Sequence, residues 1–218
     1  MTAPTRIDFV SDISCPWCVV GLLSLEEALR RTQGLFETEI ALHPFELSPD
    51  MPAGGEDNFD YVHRRYGLSA ADASANRERI KARAQALGFE MAALDTRRLY
   101  NSFDAHRLLH WAGLAGRQLA LEHALVDAHF NSGMDISDHD VLIGAAATAG
   151  LDKEIAREIL ESDRYAGAVR TAEAIWIARG VNSVPTILID GRHMVKGGLT
   201  PEAFEQILRE TATATRPA

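Results

Sequence analysis

The stretch from Phe59 to Gly180 is rich in Ala, Leu, Arg and Glu and reads as helix almost throughout, while extended segments are confined to the chain's two ends. That run is too long for a loop, so the chain is predicted to be an α/β protein interrupted by a large all-helical insertion. Gly67, Gly88, Gly133 and Gly150 are the expected helix stops inside it. No repeat is discernible, and its Ala-rich stretches are better explained by close helix packing than by low complexity.

The flanking segments supply the sheet. Ile7 to Val10 reads as a short strand, followed by a helix with Leu22, Leu25 and Leu29 on one face. A second extended segment is predicted within Phe36 to Leu47, through Phe36, Ile40, Leu42, Phe45 and Leu47, and Ser48 to Asn58 reads as a loop. After Gly180, Thr186 to Ile189 is a strand, Asp190-Gly191 a hairpin turn and His193 to Lys196 the return strand. Thr200 and Pro201 are expected to open a final helix with Ala203, Phe204, Ile207 and Leu208 on its apolar face. The order is βαβ, helices, ββα, with a frayed tail from Thr211.

With 218 residues and 46% hydrophobic content, one sizeable core is expected in a single elaborated globular unit. A net charge of -9, with no basic patch, argues against nucleic acid and anionic membrane as partners. Met1 to Arg6 is short and polar, which does not suggest an export signal, and no run approaches the roughly 20 apolar residues of a membrane span. A cytoplasmic location is therefore expected. Thiols there are normally reduced, so a close cysteine pair is more often catalytic, redox-sensing or metal-binding than structural.

The two cysteines stand in Cys15-Pro16-Trp17-Cys18, where strand becomes helix. A helix N-terminus favours a thiolate through its unpaired N–H groups and dipole, which makes Cys15 the candidate nucleophile. Cys18 lies one turn later and can attack a mixed disulfide at Cys15, resolving the exchange. Pro16 suits the first turn, and Trp17 offers an aromatic surface near the entering thiol. Half of a zinc site would also present Cys-x-x-Cys. No second cysteine pair exists, however, and only histidines such as His106 and His110 could complete such a site, so no metal is expected. An inert buried pair is a poor explanation for Pro-Trp between two cysteines.

A second segment, Ser183-Val184-Pro185-Thr186, places a proline just before a strand. Taken alone the bond would be an ordinary trans turn; beside the cysteine motif, a cis Val184-Pro185 bond is expected, leaving the Val184 backbone to pair with an extended substrate. Gly197-Gly198 could admit a ligand backbone, although a simple turn is the plainer reading.

Asp12-Ile13-Ser14-Cys15-Pro16-Trp17-Cys18, the helical insertion and Gly180-Val181-Asn182-Ser183-Val184-Pro185-Thr186 together resemble the DsbA-like thiol-disulfide oxidoreductases, and most of all their FrnE-like branch. The resemblance implies a thioredoxin-like fold in two parts, 1–58 and 171–218, around a helical domain at 59–170. It implies Cys15 as nucleophile, Cys18 as resolving thiol and Pro185 as the cis proline facing them. Asn101 to Arg107 is similar to a family stretch near the active-site groove, which brings in His106 as a substrate-binding candidate beside Pro16, Trp17, Val184 and Pro185; Phe103 is expected in the core. Expected partners are thiol- or disulfide-containing proteins or small molecules. No cofactor is expected beyond glutathione as a redox partner, and a homodimer is a family possibility. The same architecture hosts kappa-class glutathione transferases and 2-hydroxychromene-2-carboxylate isomerases, so a glutathione-dependent isomerase or transferase is one alternative. A redox-switched polypeptide binder is another. Retention of both cysteines favours disulfide exchange, whose direction depends on the potential.

Overall fold

A computed structural model describes residues 4–35 and 37–214. The first strand, β1 (Thr5–Ser11), leads into helix α1 (Pro16–Arg31) and returns as β2 (Thr38–Pro44), parallel to β1. Near the C-terminus β5 (Thr186–Ile189) pairs antiparallel with β1, and β6 (His193–Lys196) pairs antiparallel with β5. The sheet order is β2-β1-β5-β6, so the two ends of the chain share one sheet, as the thioredoxin-like expectation requires. Phe36, proposed above as the start of the second extended segment, lies outside the described residues.

Alternation along β1 divides its side chains between two layers. Ile7 and Phe9 join Leu22, Leu25 and Ala28 of α1 and Phe204 and Leu208 of the last helix, α9 (Pro201–Ala214). Val10 faces the opposite way, with Trp176 of helix α8 (Ala166–Ala178) and Leu188. The Thr200 hydroxyl accepts from the Ala203 N–H at 3.3 Å, which caps α9. That helix continues through Ala214, so fraying does not begin at Thr211: its hydroxyl is satisfied by the Ile207 carbonyl and its side chain is buried.

Between the sheet's two halves lie α2 (Asn58–Tyr66), α3 (Ala70–Gln85), α4 (Phe103–Leu114), α5 (Gln118–Val126), a π-helical turn at Asp127–Asn131, α6 (His139–Thr148) and α7 (Lys153–Leu160). The four expected glycine stops all take positive φ beyond helix ends. The expectation of helix almost throughout needs one correction. Residues 86–102 are not helical, and β3 (Glu56–Asp57) pairs antiparallel with β4 (Arg98–Leu99). Gly55 permits this pairing, because a Cβ there would sit 2.1 Å from the Leu99 carbonyl oxygen.

Two clusters tie this segment to the cysteine loop. Ile13, two residues before Cys15, is 1% exposed in the core formed by α4 to α7 with Leu108, Leu121, Leu142 and Ile159. Val19 and Val20 of α1 pack with Ile80, Leu94 and Phe130. Among the described residues, no helix is long and apolar enough to cross a membrane.

Candidate active site

Cys15 is the N-cap of α1, with extended backbone angles, and Pro16 is its first helical residue, where the missing N–H leaves no bond unmade. The Cys18 N–H donates to the Cys15 carbonyl at 3.0 Å, which fixes the first turn. Both thiols are free and buried, at 6% and 2% exposure for Cys15 and Cys18. Their environments split their acidities. A hydrogen bond from Cys18 holds the Cys15 thiol below its ordinary range, against burial and the nearby Asp12 carboxylate. Burial, and then the partner sulfur, pushes Cys18 well above the ordinary range.

Asp12, three residues before Cys15, holds the loop. Its Oδ1 accepts from the Ser14 N–H at 2.9 Å and its Oδ2 from the Leu47 N–H at 2.6 Å, while its carbonyl accepts from the Cys15 N–H at 3.0 Å. The side chain is 1% exposed, so the carboxylate clamps the cysteine loop to the chain beyond β2.

The Val184–Pro185 peptide bond is cis. The Val184 carbonyl lies 3.9 Å from Cys15 Sγ, and the Val184 N–H has no hydrogen-bond partner among the described residues. The Pro185 ring packs beneath, over Gly21 of α1, and its carbonyl accepts from the Gly197 N–H. Gly198 approaches the protein's own Trp17 rather than an open groove: a Cβ there would stand 3.1 Å from the Trp17 carbonyl and 3.3 Å from its ring.

Cys15, Pro16, Trp17 and Val184 line one cavity of about 460 Å³. Its far wall comes from α2, α3 and the irregular segment, through Tyr61, Tyr66, Ile80, Leu94, Arg97 and Leu99. The guanidinium groups of Arg79 and Arg83 sit 5.7 and 5.8 Å from the Trp17 ring centre, and Arg83 also donates to the Gly198 and Leu199 carbonyls.

His106 is not part of this lining. It is 3% exposed and borders a separate small void of about 70 Å³ with Ser11, Pro44 and His110, and its Nε2 has no partner. Its helical period puts it on the inner face of α4, and burial holds its basicity below the ordinary value. Phe103 is half-buried rather than core, because the Arg170 guanidinium covers its ring at 3.8 Å. Among the described residues, no group of three or more His, Cys, Asp or Glu side chains is placed to hold a metal ion.

The chain has clear relatives. The model of the DSBA-like thioredoxin domain family matches residues 6–209. A "probable DsbA oxidoreductase" from Streptomyces coelicolor is 32% identical and superposes with a TM-score of 0.88, over 98% of this chain and 92% of that one. At lower identity, two further structures share the fold. A 2-hydroxychromene-2-carboxylate isomerase is 17% identical, with a TM-score of 0.70 over 97% and 100% of the two chains. The cytosolic disulfide reductase DsbM from Pseudomonas aeruginosa, in complex with GSH, is 19% identical, with a TM-score of 0.65 over 95% and 99%. The chain therefore belongs to the DSBA-like thioredoxin domain family, a family of disulfide oxidoreductases and related isomerases.

Proposed function

We propose that the protein exchanges disulfides through Cys15 and Cys18. The observation that carries this reading is the pair of unlike sulfurs at the start of α1. Cys15, its ionised form favoured, lines the cavity, and Cys18, its ionisation suppressed by burial, stands one turn behind.

The Cys15 thiolate attacks one sulfur of a substrate disulfide, forming a mixed disulfide and expelling the first thiolate. Cys18 then gives up its proton and attacks Cys15 Sγ, closing the Cys15–Cys18 disulfide and expelling the second thiolate. Two protein thiols are oxidised, one substrate disulfide is reduced, and the two thiol protons end on the two departing thiols. A dithiol reductant restores the starting state, and the reverse sequence oxidises a dithiol substrate. The unpaired Val184 N–H and its carbonyl, beside Cys15, offer strand-type hydrogen bonds to an extended segment flanking the substrate sulfur. Within the family, the long helical segment between the two sheet halves supports a place in the FrnE-like branch.

Trapping tests the assignment. The Cys18→Ser variant, mixed with a small disulfide, is expected to accumulate the mixed disulfide at Cys15, visible by intact mass. Cys15→Ser is expected to form none; equal labelling of both variants would reverse or abolish the assigned roles.

A further inference from the structure

In a chain of net charge -9, the cavity beside Cys15 has the opposite bias. Three arginines line it, Arg65, Arg77 and Arg97, and Glu46 is the one carboxylate. Glu46 is already paired with Arg170, and Arg77 has Asp95 at 3.6 Å. The other two arginines lack such partners: Arg65 is exposed, with no hydrogen bond or ion pair among the described residues.

Arg97 is the unusual one. It is 4% exposed, yet no carboxylate is paired with it among the described residues. Its guanidinium makes one hydrogen bond, from Nη1 to His129 Nε2 at 3.0 Å, and its Nε is buried without a partner. His129 is placed to accept: its Nδ1 meets the Met134 carbonyl at 3.2 Å, and burial together with Arg97 holds the ring neutral, with a pKa of about 3. The Phe130 ring, 4.7 Å away, completes the support. Burial pulls Arg97 itself down to about 10, with the Cys15 and Asp12 charges acting to raise it. A buried cation with no carboxylate in direct contact is costly, and an anion entering the cavity would supply that contact.

We infer that this cavity selects small disulfides bearing a carboxylate, with Arg97 as the buried cation that receives the carboxylate and Arg65 as a second, exposed cation on the same wall. The volume, about 460 Å³, lies in the range of small-molecule sites. Apart from the buried Nε–H, three N–H groups on the two Nη nitrogens are left after the bond to His129, enough for a two-point contact with a carboxylate. The inference rests on the exchange reading above, and names its substrate class.

Reduced protein is mixed in a single turnover with the disulfides of 3-mercaptopropionate, 2-mercaptoethanol and cysteamine, which are anionic, neutral and cationic. Dithiothreitol serves as the reference thiol. The ratio of anionic to neutral rate constants is expected to exceed that of dithiothreitol by at least about tenfold, the scale of one charge-assisted contact. The cationic disulfide is expected to be the slowest relative to the same reference. Arg97→Met is expected to return the ratio to the dithiothreitol value, and because the ratio is taken within one variant, a change in Cys15 ionisation cancels. Arg65→Ala, at an exposed position, is expected to lower the ratio several-fold without affecting the fold. Ratios equal to those of dithiothreitol in the wild type would overturn the inference and leave disulfide exchange standing. Failure of all three disulfides to oxidise the protein would overturn both.

Discussion

Two sulfurs separated by two residues do different work because one sits at the mouth of a helix and the other inside its first turn. Alkylation against pH should report this. Cys15 is expected to react with iodoacetamide with a midpoint below the ordinary thiol value of about 8.5, and Cys18 to stay unreactive until well above it. A shared, ordinary midpoint would contradict the assignment. At this scale the cysteines, Pro16, Trp17 and Val184 were legible because their meaning lies in local spacing. Arg97 was not: it is one of 22 Lys and Arg residues, sits in an irregular segment, and takes its meaning from a cavity wall built by elements far along the chain. Asp12 was quoted in the motif, but its bond to the Leu47 N–H, which spans the whole β1-α1-β2 unit, leaves no periodic signal. His106 shows the converse. Its neighbourhood in the sequence suggested the groove, while the turn of α4 carries it inward to a different void.

Among the elements, the strands and the first and last helices followed from alternation, caps and turn residues, and the hairpin Thr186–Ile189 to His193–Lys196 has the bounds read from its Asp190-Gly191 turn. The β3–β4 pair escaped because each strand has two residues and the pairing is non-local. Helix α5 carries a buried acid whose titration can be tested. Glu122 is 2% exposed with Oε2 unpartnered, and burial pushes its pKa from an ordinary 4.5 up to about 8. An acid raised in this way stays protonated in the folded chain while the unfolded chain ionises. Its contribution to stability is therefore full below about pH 4.5 and declines as pH rises towards 8. Glu122→Gln should remove that decline, gaining on the order of 3 kcal/mol over wild type at pH 7 and little at pH 4. Urea unfolding at the two pH values measures it; an equal difference at both would show that Glu122 does not titrate across that window.

The whole molecule is organised around α1. One face of that helix completes the sheet core with Leu22 and Leu25, another joins Val19 and Val20 to Ile80, Leu94 and Phe130 of the intervening segment, and its leading loop plants Ile13 among α4 to α7. The cysteines thus stand where the sheet layer and the helical layer meet, and the cavity in front of them is built from both. The sequence order βαβ, helices, ββα announced that two-layer plan; the charge inside the cavity emerged only once the chain had closed on itself. The most direct test of the account is the redox equilibrium of the intact protein against a glutathione buffer series, followed by tryptophan fluorescence. Trp17 lies between the reacting sulfurs, while Trp111 and Trp176 are buried in other clusters and supply a steady background. A reversible two-electron transition that disappears in Cys15→Ser is the predicted result. A featureless titration, with both thiols free and unreactive throughout, would contradict disulfide exchange at this site.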